Sequence, residues 1–262
     1  DERWLMSGPW LTIVIPVRDD KEGLQRTLTS IARQEHEEVQ VLVVDSSRDH
    51  DAVVSMCSGI AEVVQVPPEG VFPAMNTGLD RAAGTYVQFL GAGDALHDSV
   101  VARVQKVADL NPEWMFGPVR IIGTDGGHTV TPRWDYAKER AHLFARGFFP
   151  QHQGTFARAD LLRNLGGFSL SFRVAADYAM FLRLSQHSTP IRLDFVVADF
   201  TMGGVSTTRW RESFHEFHRA RQEIFRPAGL VAAQEQWDYR THFARVWAYR
   251  ELVEPLRRRA RR

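Results

Sequence analysis

Three short polar segments with carboxylates follow apolar runs in the first third of the chain. They are Pro16-Val17-Arg18-Asp19, Asp45-Ser46-Ser47-Arg48-Asp49 and Gly91-Ala92-Gly93-Asp94. Glycine lets a ligand approach the backbone closely, and a carboxylate can hold a hard cation against a diphosphate. The segments therefore predict a crevice for a polar, phosphorylated ligand, although Asp45 and Asp94 could instead cap helices or form turns.

The glycines before Asp94 invite comparison with the dinucleotide-binding pattern G-x-G-x-x-G. The third glycine of that pattern would fall at position 96, which is Leu96, and the segment follows the fourth apolar run rather than the first. No acidic residue ends a strand about 20 positions later. The sequence thus excludes a dinucleotide fingerprint here.

The polar segments are positioned by alternating strand and helix patterns, which predict an α/β fold with a doubly wound sheet. In such a sheet, ligands bind beyond the carboxyl ends of the strands. The predicted strands are Leu11–Pro16, Val39–Asp45, Ala61–Val66, Thr85–Leu90, Trp114–Ile122, His128–Pro132 and Ile191–Phe200. Helical spacings fall around Leu24–Ile31, Met75–Leu79, Val100–Val107 and Tyr178–Ser185, and long helices begin at about Arg209.

The composition of the 262-residue chain excludes several classes of protein. Lys+Arg and Asp+Glu balance at 32 each, so no global positive field attracts nucleic acid. The single cysteine, Cys57, rules out a disulfide framework and any multi-cysteine metal site. No apolar run approaches the roughly 20 residues of a membrane span. We expect a soluble, cytoplasmic protein whose membrane contact, if any, is peripheral.

The ordered set of motifs resembles family 2 glycosyltransferases with the GT-A fold. The resemblance rests on IVIPVRDDKEGLQRTLTSIARQ, VQVLVVDSS and GVFPAMNTGLDRAAGTYVQFLGAGD, followed by His152-Gln153, Gly166-Gly167-Phe168, Asp177-Tyr178 and Gly203-Gly204-Val205-Ser206. It implies a Rossmann-like, mixed but mostly parallel sheet flanked by helices. The expected domains are a GT-A unit over residues 1–208, with a donor half at about 10–110 and an acceptor half at 111–208, and a helical extension over 209–262.

The resemblance also implies which residues bind the donor, a UDP-, GDP- or dTDP-sugar. Asp45 matches the acid that contacts the nucleobase or ribose, and Asn76 is the expected polar contact within Gly70–Gly78. Arg18 stands where an aromatic residue often packs on the base, so the identity of the base is left open. The full set of implied donor residues is Pro16, Val17, Arg18, Asp19, Asp45, Asn76, Gly91, Ala92 and Gly93.

A metal site and a catalytic base follow from the same resemblance. Asp94 matches the last acid of the motif that binds Mg²⁺ or Mn²⁺, whereas the often acidic position before it is Gly93. His152 is either a further metal ligand, a phosphate contact or a structural residue. Asp177 matches the base that deprotonates an acceptor hydroxyl, with Ala176 in place of a second acid. One base and no protein nucleophile imply inversion at the anomeric carbon.

Two other functions compete with this interpretation. Sugar-1-phosphate nucleotidyltransferases share a related fold, but they carry a Gly-rich, Arg/Lys-bearing loop after the first strand, where this chain has PVRDDKEG. A catalytically silent nucleotide-sugar-binding module would explain the missing acids at Gly93 and Ala176. The retention of Asp94 and Asp177 argues against it.

The C-terminal segment is basic although the whole chain is neutral. Residues 240–262 contain eight arginines and two acids, Glu251 and Glu254. Phe243, Val246, Trp247 and Leu252 could form an apolar stripe beside these charges. Either the helix packs on the catalytic domain with its arginines in water, or it contacts anionic lipid at the inner face of a membrane. Acceptor specificity is expected in residues 134–149 and in these helices.

Overall fold

A seven-stranded mixed sheet forms the centre of the protein in the computed structural model, which describes residues 8–34, 38–123, 126–131, 136, 149–201, 209–249 and 251. The strands are β1 (Leu11–Val17), β2 (Val39–Asp45), β3 (Glu62–Gln65), β4 (Tyr86–Phe89), β5 (Ala95–Leu96), β6 (Trp114–Phe116), β7 (Val119–Ile122), β8 (His128–Thr131), β9 (Thr155–Arg158), β10 (Ile191–Arg192) and β11 (Ala198–Thr201).

The helices within the described residues lie between these strands and after the last of them. They are α1 (Lys21–Ala32), α2 (His50–Cys57), α3 (Val71–Arg81), α4 (Val100–Ala108), α5 (Ala159–Asn164), α6 (Ala176–His187), α7 (Trp210–Phe225) and α8 (Gly229–Ala248). A short 3₁₀ turn at His152–Gly154 precedes β9.

The main sheet has the strand order β10-β6-β9-β4-β1-β2-β3. Strand β1 pairs in parallel with β2 and β4, and β2 pairs in parallel with β3, while β9 runs antiparallel to β4 and β6. A smaller sheet with the order β5-β11-β7-β8 lies beside it. The predicted mixed, mostly parallel sheet is confirmed.

Strand β1 is buried at every position because helices cover both faces of the sheet. Leu11, Ile13 and Ile15 pack in one apolar cluster with residues of α1 and α4. Val14 faces the opposite cluster, which includes residues of α3 and α6. The run of apolar residues without alternation, which predicted a parallel strand from sequence, thus has a direct structural cause.

Two predicted strands are each divided between the two sheets, so their single-strand boundaries were wrong. Residues 114–122 form β6 in the main sheet and β7 in the smaller one, separated by Gly117 and Pro118. Proline donates no backbone hydrogen bond, so the ladder cannot continue through it. Residues 191–200 divide in the same way into β10 and β11.

The helix α7 packs against α6 and contributes Ala220 to the apolar cluster on that side of the sheet. The long helices predicted from about Arg209 are therefore present. No helix within the described residues is long and apolar enough to span a membrane. The boundary predicted at residue 208 stays a prediction, because residues 202–208 lie outside the described part of the chain.

Candidate active site

The three polar segments predicted from sequence meet at one edge of the sheet. Strands β4, β1 and β2 are neighbours and run in the same direction, so the residues that follow them emerge side by side. Val17 pairs with Asp45 at the ends of β1 and β2. This is the edge at which open α/β sheets bind ligands.

The loops after β1 and β2 are tied together through Asp19. Its backbone N–H donates to Ser47 Oγ at 2.8 Å, and its carboxylate accepts from the backbone N and from Nε of Arg48 at 3.0 and 3.1 Å. The backbone hydrogen bond from Arg48 is the main reason why the pKa of Asp19 lies below its usual value. Asp19 therefore links the loop after β1 to the loop after β2. The neighbouring Arg18 is exposed to solvent.

Asp45 is fully buried, and its carboxylate is occupied by protein groups. One oxygen accepts the backbone N–H of Ser47 at 2.8 Å, and the other lies 2.7 Å from His50 Nδ1. A buried carboxylate needs such partners, since an unpaired one is costly. The donor contact expected of Asp45 stays a prediction; in this conformation the residue contacts Ser47 and His50.

Asn76 is likewise engaged with the protein backbone. Its amide donates to the carbonyl of Phe168 and accepts from the N–H of the same residue, both at 2.8 Å. Gly167, with φ of +59°, brings this loop so close that a Cβ there would lie 2.6 Å from Asn76 Oδ1. In this structure Asn76 fixes the loop that precedes the candidate base. The contact between Asn76 and the donor sugar stays a prediction.

The Gly91–Asp94 turn holds Asp94 in a buried position. The backbone N–H of Gly91 donates to Asp94 Oδ2 at 2.7 Å, and the N–H of Asp94 donates to the carbonyl of Gly91 at 3.0 Å. Gly93 has φ of +101°, a conformation that glycine adopts without strain, and its N–H donates to Thr27 Oγ1 at 3.0 Å. The turn thus depends on glycine at position 93, where the family resemblance implies a second acid.

Burial raises the pKa of Asp94 to about 6, although the nearby His152 and the hydrogen bonds from Gly91 and Gln153 act in the opposite direction. Burial dominates because it disfavours the charged form of a carboxylate. His152 also lies on the other side next to Asp177, with 3.7 Å between its Nδ1 and Asp177 Oδ2. His152 therefore interacts electrostatically with Asp94 and lies at ion-pair distance from Asp177.

Asp177 lies in the first turn of α6. Its Oδ1 accepts the backbone N–H of Tyr178 at 2.7 Å, while Oδ2 faces His152. The Asp177 and His152 side chains are each about one-fifth exposed, at 20%. The positive end of a helix dipole stabilises a carboxylate at this position. One oxygen is thus held by the backbone, and the other faces His152.

A cavity of about 770 Å³ opens beside these loops. It is lined by Pro16, Val17, Arg18, Ser46, residues 69–74, Leu170, Phe172, Arg173 and Arg209. Asp94 and Asp177 are not among its lining residues, but residues 170–173 lead directly to the start of α6. The arginines add positive charge suited to a diphosphate, because guanidinium groups bind such oxygens well.

Sequence reasoning missed Phe172, Arg173 and Arg209 as possible ligand contacts, and it included Ser46 and Phe72 only as members of longer ligand-binding segments. Arg173 stands four residues before Asp177, and Arg209 follows the Gly203–Ser206 motif closely, so proximity to these motifs was the available signal. The lining of the cavity also contains the predicted residues Pro16, Val17 and Arg18.

The sequence profile of glycosyl transferase family 2 matches residues 12–178, which include every predicted site residue.

The chain belongs to glycosyl transferase family 2. It is 31% identical over 216 residues to a PGL/p-HBAD biosynthesis glycosyltransferase of Mycobacterium bovis (strain BCG / Pasteur 1173P2), covering 78% of this chain and 81% of that protein. Membership of the family, first indicated by the ordered motifs, is thereby confirmed.

Solved structures of glycosyltransferases share the fold. Staphylococcus aureus TarS 1–349 in complex with UDP-GlcNAc has a TM-score of 0.65 at 16% identity, covering 93% of this chain and 76% of that one. The mannosyltransferase PcManGT of Pyrobaculum calidifontis, in complex with GDP-Man and Mn²⁺, has a TM-score of 0.63 at 18% identity, covering 94% and 76%. The chain thus has the GT-A fold.

Proposed function

We propose that this family 2 glycosyltransferase moves a sugar from a nucleoside-diphosphate sugar to an acceptor hydroxyl, with inversion at the anomeric carbon. The observation that carries the proposal is His152, which lies 3.7 Å from Asp177 and interacts electrostatically with the buried Asp94, whose turn follows β4 at the edge where β1 and β2 also end. In this arrangement Asp94 would hold a cation that neutralises the leaving diphosphate, and Asp177 would remove the proton of the acceptor hydroxyl.

The donor is a UDP-, GDP- or dTDP-sugar in this proposal. Arg18, Arg173 and Arg209 line the 770 Å³ cavity and would neutralise its diphosphate. Support comes from TarS and PcManGT, whose structures contain UDP-GlcNAc and GDP-Man respectively. Phe72 and Phe172 line the same cavity and offer apolar surface to a base or sugar ring.

Mg²⁺ or Mn²⁺ is the proposed cofactor. The described residues contain no group of three or more potential ligands arranged around one point. Asp94 is nevertheless the candidate ligand, because burial raises the pKa of its carboxyl to about 6 and a divalent ion beside it would favour the charged form. Asp94, with His152 beside it, would hold an ion whose other ligands come from the diphosphate and water. Such an ion would neutralise the charge that develops on the leaving diphosphate.

Asp177 is the proposed base. Its carboxylate accepts the proton of the acceptor hydroxyl as the hydroxyl oxygen attacks the anomeric carbon and the bond to the diphosphate breaks. His152 lies at ion-pair distance from Asp177 rather than at hydrogen-bond distance, so it affects the field around the base without occupying Oδ2. One displacement by an oxygen from the face opposite the diphosphate inverts the anomeric centre.

A thermal-shift panel tests the donor assignment. We expect at least one of the UDP-, GDP- and dTDP-sugars to raise the melting temperature by roughly 5 °C at about 100 times its Kd, since a ligand of the native state stabilises it. The shift should be larger with Mn²⁺ than with chelator. The absence of a shift with every donor at millimolar concentration, in both conditions, would contradict the proposal.

We also propose that α8 makes a peripheral contact with an anionic lipid surface. This contact would place the active site near a lipid-linked acceptor. Phe243, which was expected in the apolar stripe, instead packs against Trp210 and Phe214 of α7. The exposed apolar residues of α8 include Leu230 at 88% and Trp237 at 66%. Since they are seven residues apart, they share one face of the helix. Val246 is half-buried, and Leu252 lies outside the described residues.

Charge favours lipid over a second copy of the chain on this face. Arg240 and Arg245 are exposed and lie on either side of Trp237 around the helix. Five further arginines follow in residues 257–262. Two copies would bring these positive charges together, whereas each arginine near anionic lipid contributes about 1 kcal/mol. A tryptophan between arginines is typical of helices that lie in a membrane interface.

Sedimentation with liposomes tests this contact. We expect the full chain to bind vesicles that contain anionic lipid at low salt, and to lose binding at high salt, after deletion of residues 257–262, or in a Leu230→Ala/Trp237→Ala variant. Leu110→Ala is the matched control, because Leu110 is also strongly exposed but lies elsewhere. Salt-insensitive binding, or self-association of the chain without vesicles, would assign the face to another partner.

A further inference from the structure

The backbone just before the candidate base is held by a carboxylate from a distant helix. Helix α6 has Ala175 at its N-cap, which offers no side-chain acceptor. Instead, Glu216 of α7 accepts hydrogen bonds from three successive backbone amides. These are the N–H groups of Arg173, Val174 and Ala175, at 2.9, 2.7 and 2.9 Å.

Glu216 is well placed to fix this segment rigidly. It is buried, and hydrogen bonds to an ionised carboxylate are stronger than neutral ones. Its negative charge also lies at the positive end of α6. Because its Oε2 bonds both Val174 and Ala175 while Oε1 bonds Arg173, a small shift of the carboxylate would move all three residues.

Other contacts from α7 hold the residues on both sides of Asp177. Arg219 donates to the carbonyl of Ser171 at 2.5 Å, and its guanidinium lies 4.5 Å from the ring centroid of Phe172. Arg221 is buried, donates to the hydroxyl of Tyr178 at 3.2 Å and pairs with Glu235 of α8 at 2.6 Å. Helix α7 therefore contacts the chain immediately before and immediately after the base.

We propose that Glu216 is a positioning residue for the transfer reaction, which acts through Asp177 and does not itself touch the substrate. This inference rests on the proposed function. By fixing residues 173–175, Glu216 sets where α6 begins and thus where the Asp177 carboxylate points. The family match ends at residue 178, so this part of the active site is supplied by a helix outside it.

The test is Glu216→Gln in the full chain, with release of nucleoside diphosphate from the donor as the assay. Glutamine keeps the size of the side chain but has one acceptor oxygen, so it turns an N–H donor towards at least one of the three amides. We expect kcat to fall by about 10-fold or more, with KM for the donor changed by less than about 3-fold, because misplacement of a reacting group lowers the rate of the chemical step. Glu223→Gln is the matched control for the loss of one negative charge on the same helix, because Glu223 is exposed and pairs only weakly, at 3.6 Å, with the exposed Arg219. It should leave both values unchanged.

A double-mutant cycle separates positioning from general stability. If Glu216 acts through Asp177, Glu216→Gln should lower the residual rate of an Asp177→Asn enzyme by no more than about 2-fold. An equal fold-loss in both backgrounds, or wild-type kcat in Glu216→Gln, would overturn the inference. Should Glu216→Gln fail to fold, Glu216→Asp is judged by the same criteria. Retained turnover in Asp177→Asn alone would instead overturn the proposed base.

Discussion

The Asp177→Asn enzyme is expected to release nucleoside diphosphate from its donor roughly 100-fold more slowly than the wild type, or slower still. Asparagine keeps the shape of the side chain and can still accept the N–H of Tyr178, but it cannot take a proton from the attacking hydroxyl or water. Donor affinity should stay near that of the wild type, because the residue is not among those that line the donor cavity.

Asp160→Asn is the matched control for this experiment. Asp160 lies in the first turn of α5, and its Oδ1 accepts the backbone N–H of Leu161 at 2.8 Å, much as Asp177 does with Tyr178. A general effect of removing an acid at a helix start would therefore appear in both variants. Comparable rates for Asp177→Asn and the wild type would remove Asp177 from the role of base.

The second large effect is expected at Asp94, the proposed metal ligand. In the wild type, donor affinity should be about 10-fold or more higher with Mn²⁺ than with chelator, because Asp94 would hold an ion that neutralises the charge of the diphosphate. In Asp94→Ala the two affinities should become equal, since Gly93 offers no carboxylate in its place. Isothermal titration of the donor measures both values.

Asp98→Ala controls for the loss of one negative charge in the same segment, because Asp98 is exposed and only four residues away. It should keep the full effect of Mn²⁺. Equal donor affinity of the wild type with Mn²⁺ and with chelator would show that binding is independent of metal and that Asp94 serves only to shape the turn.

The strands that position the site were predictable because they are buried on both faces. Residues 11–17 and 39–45 are rich in β-branched residues, and this composition alone indicates a covered parallel strand. The division of residues 114–122 was missed because its cause is one Gly-Pro step within a continuous apolar run. Local periodicity cannot show that the two halves pair with different sheets.

The sequence predicted where the candidate site residues lie in the fold better than it predicted which groups their side chains contact. The motifs led to Asp94, His152 and Asp177, of which the structure places His152 at ion-pair distance from Asp177; their catalytic and metal-binding roles stay predictions. They did not show that Asp45 turns its carboxylate to His50, because burial depends on how the loop folds back. The role of Glu216 was missed for a related reason. It stands 39 residues after Asp177, and no spacing rule connects a helix face to a distant loop.

The most direct measurement of the central claim is the release of nucleoside diphosphate from UDP-, GDP- and dTDP-sugars by the full chain in the presence of Mn²⁺. The proposed mechanism predicts release from at least one donor, falling strongly in Asp94→Ala and by roughly 100-fold or more in Asp177→Asn, while Asp98→Ala and Asp160→Asn stay active. Donor binding by the wild type without any release of diphosphate would contradict it, and would assign the chain to the catalytically silent binding modules.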